Sequence, residues 1–382
     1  MAKFKYFDLR LVNPPFDSEL TKNILDFNHM KRRQVSGSTY PVTFFQIKRI
    51  FHTLESLASA RIEGNYTTIS DLLESRLTGN DSEERFREIE NMEESLVFID
   101  ENIGSANINR IFLSELHKKI VKGLSVEKEG CKNPGEYRKT EVHIAKSSHL
   151  PPEPALVSSQ MVALFDFINQ DDPEQYDLIK LALAHHRFAW VHPFENGNGR
   201  TVRALTYAML VKQGFNVNQH RILNPTAVFC NDRGRYYSEL ANADKGTDDA
   251  LVQWCAYVTS GLVKEIGKID KLLDYDYLKD KILIPSVIQT RDVSKISLLD
   301  FNILMIVVKR QGVKPKDILH LFKGKTASAR SQYLKRMIDR QLLVKADSGH
   351  YILNLSSKSP FLSGVIKNLT EKGFVSEDLN RP

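Results

Sequence analysis

Residues 192–203 read HPFENGNGRTVR, and several side chains able to move a phosphate group lie within them. His192 is a base that can be neutral near pH 7. Glu195 is a hard oxygen ligand suited to Mg2+ bridging phosphates. The run Asn196-Gly197-Asn198-Gly199 cannot sit inside a helix, because Gly costs about 1 kcal/mol there relative to Ala and Asn favours turns. The next segment, RTVRALTYAMLVKQGF, has the spacing of an amphipathic helix. The glycine-rich loop therefore falls at a helix N-terminus, where unpaired N–H groups and the positive dipole end favour an anion. Successive N–H groups of such a loop can form a nest for phosphate. Arg200 and Arg203, three apart, share one helix face, so both can present forked donors to the same anion. A base, a metal ligand, an anion nest and two arginines together suit phosphate transfer.

Other chemical motifs fail on spacing. Gly324-Lys325-Thr326 ends like a P-loop, but Leu319 stands where its first glycine is required. Gly197 and Gly199 lack the third glycine of a dinucleotide fingerprint, since Val202 occupies that place. No HExxH pattern exists, and the adjacent His185 and His186 are expected to serve packing and hydrogen bonding.

The segment resembles the signature of the Fic family, His-Pro-Phe-x-(Asp/Glu)-Gly-Asn-Gly-Arg-x-x-Arg, and with its flanking helices the resemblance covers roughly residues 110–262. One position departs: Asn196 occupies the acidic place and Glu195 precedes it, so Glu195 and Asn196 both stand as candidates for the Mg2+ ligand. The resemblance implies transfer of AMP from ATP to a hydroxyl of a target protein. His192 would accept the hydroxyl proton and Phe194 would anchor the loop. Gly197, Asn198 and Gly199 would cradle the phosphates, Arg200 and Arg203 would hold the outer ones, and Thr201 and Val202 complete the ATP-binding run. TEVHIAK, residues 140–146, resembles the family's β-hairpin flap, with Ile144, Ala145 and Lys146 as nucleotide neighbours. RYYSELANAD, residues 235–244, resembles the adenine-pocket region. Tyr237 is its leading candidate, with a core role for Tyr236 and Tyr237 equally open.

Far upstream, SARIEG at residues 59–64 matches the family's inhibitory motif, (Ser/Thr)-x-x-x-Glu-(Gly/Asn). The resemblance implies that Glu63 pairs with Arg203 as a two-pronged carboxylate, in the place of the γ-phosphate. Glu63 thereby counts both as an inhibitory and as an ATP-site residue. The same fold admits removal of AMP or transfer of another phosphate-containing group. A non-enzymatic alternative is a nucleotide-sensing, DNA-binding regulator, although a sensor would not require a base at position 192.

The elements that must position these groups read as mainly α: a Fic-type helical bundle with a β-hairpin flap, plus a small C-terminal winged-helix domain. Apolar residues recur at helical spacing from Gln46 to Ala60 (Ile47, Ile50, Leu54, Leu57), and Gly64-Asn65 is a stop signal. Expected boundaries are an inhibitory-helix region at 1–109, the catalytic core at 110–262, a helical linker at 263–295 ending near Pro285, the winged-helix-like part at 296–356 and a tail at 357–382. In that part, three short helical patterns precede LLVKADSGHYILNL, a hairpin around Asp-Ser-Gly.

The 382 residues are 42% hydrophobic with a mean hydropathy of −0.32, as in ordinary globular chains. No apolar run approaches the ~20 residues of a membrane span, and the start lacks a signal-peptide block. Cys131, Cys230 and Cys255 form no disulfide or zinc pattern and suit a reducing cytoplasm. Between Lys309 and Lys345 stand eleven Lys/Arg and two acids, a local charge of +9 against +6 for the whole chain. Such a unit can dock on DNA through phosphates, with Arg330, Lys335 and Arg336 as the first contacts to test. Expected partners are thus a target protein or the chain itself, DNA, and a second copy in a homodimer, with no membrane.

Overall fold

The computed structural model describes residues 6–32, 38–79, 83–104, 106–144, 147–215, 222–293 and 296–381. The chain divides into two compact units, one drawn from residues 1–34, 52–67 and 82–267, the other from 35–51, 68–81 and 268–382. The helices are α1 (Glu19–Arg32), α2 (Pro41–Glu63), α3 (Ile69–Thr78), α4 (Glu84–Asn102), α5 (Arg110–Ile120), α6 (Pro154–Asn169), α7 (Asp177–Val191), α8 (Asn198–Lys212), α9 (Thr226–Cys230), α10 (Arg233–Ala243), α11 (Asp248–Ile269), α12 (Tyr275–Leu278), α13 (Ile284–Val293), α14 (Leu298–Lys309), α15 (Ala327–Asp339) and α16 (Leu362–Glu371). None of them is long and apolar enough to cross a membrane.

In the first unit, α7 and α8 pack together, α6 covers α7, and α4 and α5 pack on each other and on α8. Residues of α7 and α8 are buried on nearly every face, so α8 is a central helix instead of the one-sided amphipathic helix its spacing suggested. The apolar stripe of α2 is buried as expected: Ile47, Ile50, Leu54 and Leu57 each lie at 4% exposure or less. Gly64 ends α2 at φ +107°, a conformation that disfavours any side chain.

The flap differs from expectation. Residues 141–144 form no strand, and the described residues hold just one two-stranded sheet, elsewhere. Among the described residues the alternating TEVHI pattern has no second strand beside it to supply a ladder, and strand propensity alone does not make a strand.

In the second unit, the three helical patterns expected ahead of the hairpin appear as two α-helices and one 3-10 turn. α14 leads to a 3-10 turn (Pro315–Leu321) that replaces the second α-helix, then to α15 and an antiparallel pair, β1 (Leu343–Lys345) and β2 (Tyr351–Leu353). Ala346 donates to His350, and Gly349, at φ +77°, closes the Asp-Ser-Gly turn. Lys335 and Arg336 are exposed on α15, while Arg330 is half-buried and donates to the Lys325 carbonyl.

Two connections differ from the sequence expectation. Pro285 does not end the linker helix: it sits in the first turn of α13, directly after a π turn (Lys279–Leu283). A proline removes one N–H from this continuous helical run, and the π turn stands directly before the place where that bond is missing. Residues 362–371, expected to belong to a tail, form α16, which packs on α13 through Leu362, Val365, Ile366 and Leu369.

Candidate active site

His192 caps α7 in the left-handed conformation, φ +50°, unusual for a side chain of this size. It is held there by Arg138, a residue that no sequence motif marked. The Arg138 backbone N–H donates to the Pro193 carbonyl and its Nε to the His192 carbonyl, both at 2.8 Å, while Nη2 donates to the Pro152 and Val191 carbonyls. The guanidinium thus satisfies the carbonyls exposed by the break between α7 and the loop. Burial pushes the His192 imidazole down to about 4, so it is neutral at physiological pH and able to accept a proton. A hydrogen bond with the Ala189 backbone works the other way and occupies one ring nitrogen.

The loop is built from inside. Asn198 donates to the Phe194 carbonyl at 2.8 Å and accepts from the Phe194 N–H at 2.9 Å, closing the turn on itself. Phe194 is fully buried, its ring stacked on His117 with centroids 3.8 Å apart. His117, also missed from sequence, meets the Asn196 carbonyl through Nε2 at 3.0 Å and accepts the Gly135 N–H on Nδ1 at 2.8 Å. Because Nδ1 accepts, Nε2 must carry the proton and donate, and burial pushes this ring down to about 4 as well. Gly197 has φ +75°, and a Cβ there would lie 2.9 Å from Val121 and 3.3 Å from His117 Nε2. The loop therefore needs glycine at that point.

Of the two metal candidates, Asn196 is committed to structure. Its amide donates to the Lys128 and Gly130 carbonyls and its oxygen accepts the Gly197 N–H. That residue does not fit a Mg2+ site, and Glu195 is left as the carboxylate beside the loop. Among the described residues no group of three or more His, Cys, Asp or Glu could hold a metal ion.

The two arginines of α8 do not share a partner. Arg200, fully buried, donates to the Glu129 carbonyl and carboxylate at 2.7 and 2.8 Å and lies 3.3 Å from Glu88. Burial pushes the Glu88 carboxyl up to about 7, against the pull of Arg200. Arg203 turns instead to α2. Its Nε donates to Ser59 Oγ at 2.9 Å, and its Nη2 donates to the Ser59 carbonyl at 3.0 Å and to Glu63 Oε1 at 2.7 Å. The contact is single-pronged, not the two-pronged pair expected, and Ser59 takes the Nε–Nη2 edge of the guanidinium. Burial opposes the charge on Glu63, but the charge and hydrogen bond of Arg203, then the charges of Arg200 and Arg233, hold its carboxyl below its ordinary value. Gly199 makes room: a Cβ there would lie 2.0 Å from Glu63 Oε1. Asn65 docks the end of α2, donating to Glu88 and to the Arg85 carbonyl.

Other expected site residues divide. Tyr237 is 39% exposed with the Arg233 guanidinium 5.5 Å from its ring centre, whereas Tyr236 is core, its hydroxyl 2.9 Å from His185. Val202 is buried and the Thr201 hydroxyl donates back to the Gly197 carbonyl, so neither side chain faces a ligand. Ile144 is half-buried, and Ala145 and Lys146 lie outside the described residues. His185 and His186 bond to Thr206, Tyr236 and Asp244, the packing role expected of them.

Residues 107–210, which include this loop and its two flanking helices, match the model of the Fic/DOC family. The chain carries a Fic-family domain. It is 30% identical over 211 residues to a protein adenylyltransferase Fic of Nematostella vectensis, covering 53% of this chain and 45% of that one. It is 25% identical over 259 residues to a protein adenylyltransferase fic-1 of Caenorhabditis briggsae, covering 65% and 48%. The chain thus spans about half the length of the curated relatives it matches. A Fic family protein from Desulfovibrio desulfuricans G20 has the same fold at a TM-score of 0.56 and 17% identity, covering 91% of this chain and 98% of that one. Fic-1 (aa134–508) of C. elegans overlays at a TM-score of 0.50 with 22% identity, covering 65% and 72%.

Proposed function

We propose that the chain is a protein adenylyltransferase, moving AMP from ATP onto a hydroxyl of a target protein, and that Glu63 holds it inactive through Arg203. The observation that carries this reading is the Glu63–Arg203 contact, made beside a glycine loop that ends at a neutral His192. In the reaction the hydroxyl oxygen bonds to the α-phosphorus as the P–O bond to the β-phosphate breaks. Pyrophosphate leaves, and the hydroxyl proton passes to the imidazole nitrogen that Ala189 does not engage. N–H groups in the first turn of α8, from Asn198 to Arg200, are aimed at the charge carried by the phosphates. Arg203, once free of Glu63, takes the terminal phosphate. While Glu63 stays bonded, the phosphates are kept from in-line geometry, and a displacement of about 1 Å costs ~10²-fold in rate. Mg2+ accompanying ATP would neutralise phosphate charge, with Glu195 as the protein carboxylate at hand. Mass spectrometry of wild type and Glu63→Gly after incubation with ATP and Mg2+ tests the reading. An added AMP in the variant supports it, and a different added mass or AMP removal replaces it with the corresponding reaction on the same fold.

A second property is carried by the charge of residues 309–345, +9 with Lys335 and Arg336 exposed on α15. We infer that this winged-helix-type part binds duplex DNA through phosphates. The slope of log affinity against log salt should fall by about 1 for each of Lys335→Ala and Arg336→Ala. Binding indifferent to salt would overturn the inference.

A further inference from the structure

Three polar residues of α2, Glu55, Ser59 and Glu63, follow one another at intervals of four, so they form one stripe along the helix. Ser59 and Glu63 both engage Arg203. Glu55 does something different. It is 1% exposed, and both its carboxyl oxygens lie 3.0 Å from the Thr226 N–H; the Thr226 hydroxyl donates to Oε1. Thr226 opens α9, where the first N–H groups have no partner within the helix.

Removing a carboxyl from water is unfavourable unless hydrogen bonds replace its hydration, and an apolar side chain would fill the same space without that demand. What a carboxyl adds is direction. Both donors belong to one residue, so the contact fixes the rotation of α2 and its height against α9. A slide of α2 by one residue, about 1.5 Å of rise and 100° of turn, breaks it and carries Glu63 off Arg203. His52, one turn earlier, adds a second directional anchor, its Nε2 3.2 Å from the Tyr207 hydroxyl and 3.3 Å from Asp100.

We propose that Glu55 is the positioning residue of the inhibitory helix: its clamp on Thr226 sets the register that delivers Glu63 to Arg203. The proposal rests on the reading of Glu63 as the inhibitory group. The group that blocks the nucleotide and the group that keeps the block in place are then separate residues, two turns apart on one helix.

The test uses the full chain, with hydrogen–deuterium exchange over residues 56–64 and labelling by α-labelled ATP with Mg2+. Glu55→Ala should raise exchange at 59–64 at least tenfold and raise labelling toward the Glu63→Gly level. Glu55→Gln, which keeps an acceptor oxygen of the same reach, should return both readings most of the way to wild type. In the Glu63→Gly background, Glu55→Ala should change labelling less than twofold, because the block is already gone. Unchanged exchange at 59–64 in Glu55→Ala overturns the proposal, as does an equal loss of labelling in both backgrounds. Should no variant label while exchange still responds, the transfer reading fails and the positioning role of Glu55 stands.

Discussion

Glu63 Oε1 and Arg203 Nη2 meet at 2.7 Å across 140 residues of sequence, and the space for that meeting exists because residue 199 has no side chain. Gly199 has an ordinary helical backbone, so its lack of a Cβ answers to the approach of Glu63, not to strain. Gly199→Ala should therefore destabilise the wild type, through overpacking, by roughly 1–3 kcal/mol. In Glu63→Gly the same change should be neutral or stabilising by up to about 1 kcal/mol, as for Gly→Ala in any helix turn. A double-mutant cycle read by denaturant unfolding checks this, and additivity within about 0.5 kcal/mol would contradict the geometry.

Release of the inhibitory contact should appear as rate. Glu63→Gly should label protein from α-labelled ATP on the order of 10²-fold faster than wild type, the cost ascribed to displaced phosphates. His192→Ala in that background should abolish the gain. Equal labelling of wild type and Glu63→Gly would contradict the inhibitory role.

The pH dependence of that labelling should reflect a base pushed down to about 4 by burial, not an ordinary histidine near 6.5. His192 loses its proton as pH rises through its folded value, so the rate in Glu63→Gly should already be on its plateau at pH 6. An acid limb centred near 6.5 would show that the imidazole that works in the reaction is exposed to water.

Two buried carboxyls set a stability profile of opposite sign. Burial pushes Glu55 up to about 8 and Glu88 up to about 7, from an ordinary value of 4.5. Between those limits the folded chain binds protons that the unfolded chain has released, so the contribution of these two carboxyls is fully present below about 4.5 and is lost as pH rises through 7 and 8. Arg203 favours ionisation of Glu55 and Glu265 opposes it, while Arg200 favours ionisation of Glu88. Glu55→Gln should flatten the upper part of this fall in melting temperature, leaving the part due to Glu88.

How much of this could be read from the sequence depends on how local the determining contact is. The glycine loop, its place at a helix start and the stop at Gly64 follow from residue types within a few positions, and the structure contains all three. The α2 stripe was legible in Ile47, Ile50, Leu54 and Leu57 because one periodicity fixes one buried face. Arg138 and His117 were not legible: each is an ordinary polar residue whose role is to satisfy loop carbonyls tens of residues away in sequence. Arg200 was misdirected for the same reason, since Glu88 and Glu129 reach it from segments that no spacing rule connects. The flap misled because alternation specifies a strand only where a second strand is present. Ser59 lay inside a recognised motif, yet its two contacts with Arg203 became visible only when α2 and α8 stood side by side.

Asn198 can serve the loop or the phosphates, and substitution separates the two roles. Its side-chain amide is spent on both backbone groups of Phe194, so its direct service is to the loop, while any phosphate would meet the Asn198 backbone N–H instead. Asn198→Ala leaves a buried N–H and a buried C=O without partners, at about 1–3 kcal/mol each. It should lower both stability and labelling rate in the Glu63→Gly background, with His192 still present. Asn198→Asp keeps the acceptor for the Phe194 N–H but sets a buried carboxylate oxygen against the Phe194 carbonyl, so it should recover none of the stability loss. Were the side chain a direct phosphate ligand, Asn198→Ala would instead raise KM for ATP and leave unfolding within about 0.5 kcal/mol of the parent. Denaturant unfolding and initial-rate labelling on the same three proteins distinguish the two outcomes, and a parent-like stability for Asn198→Ala would remove the loop-closing role.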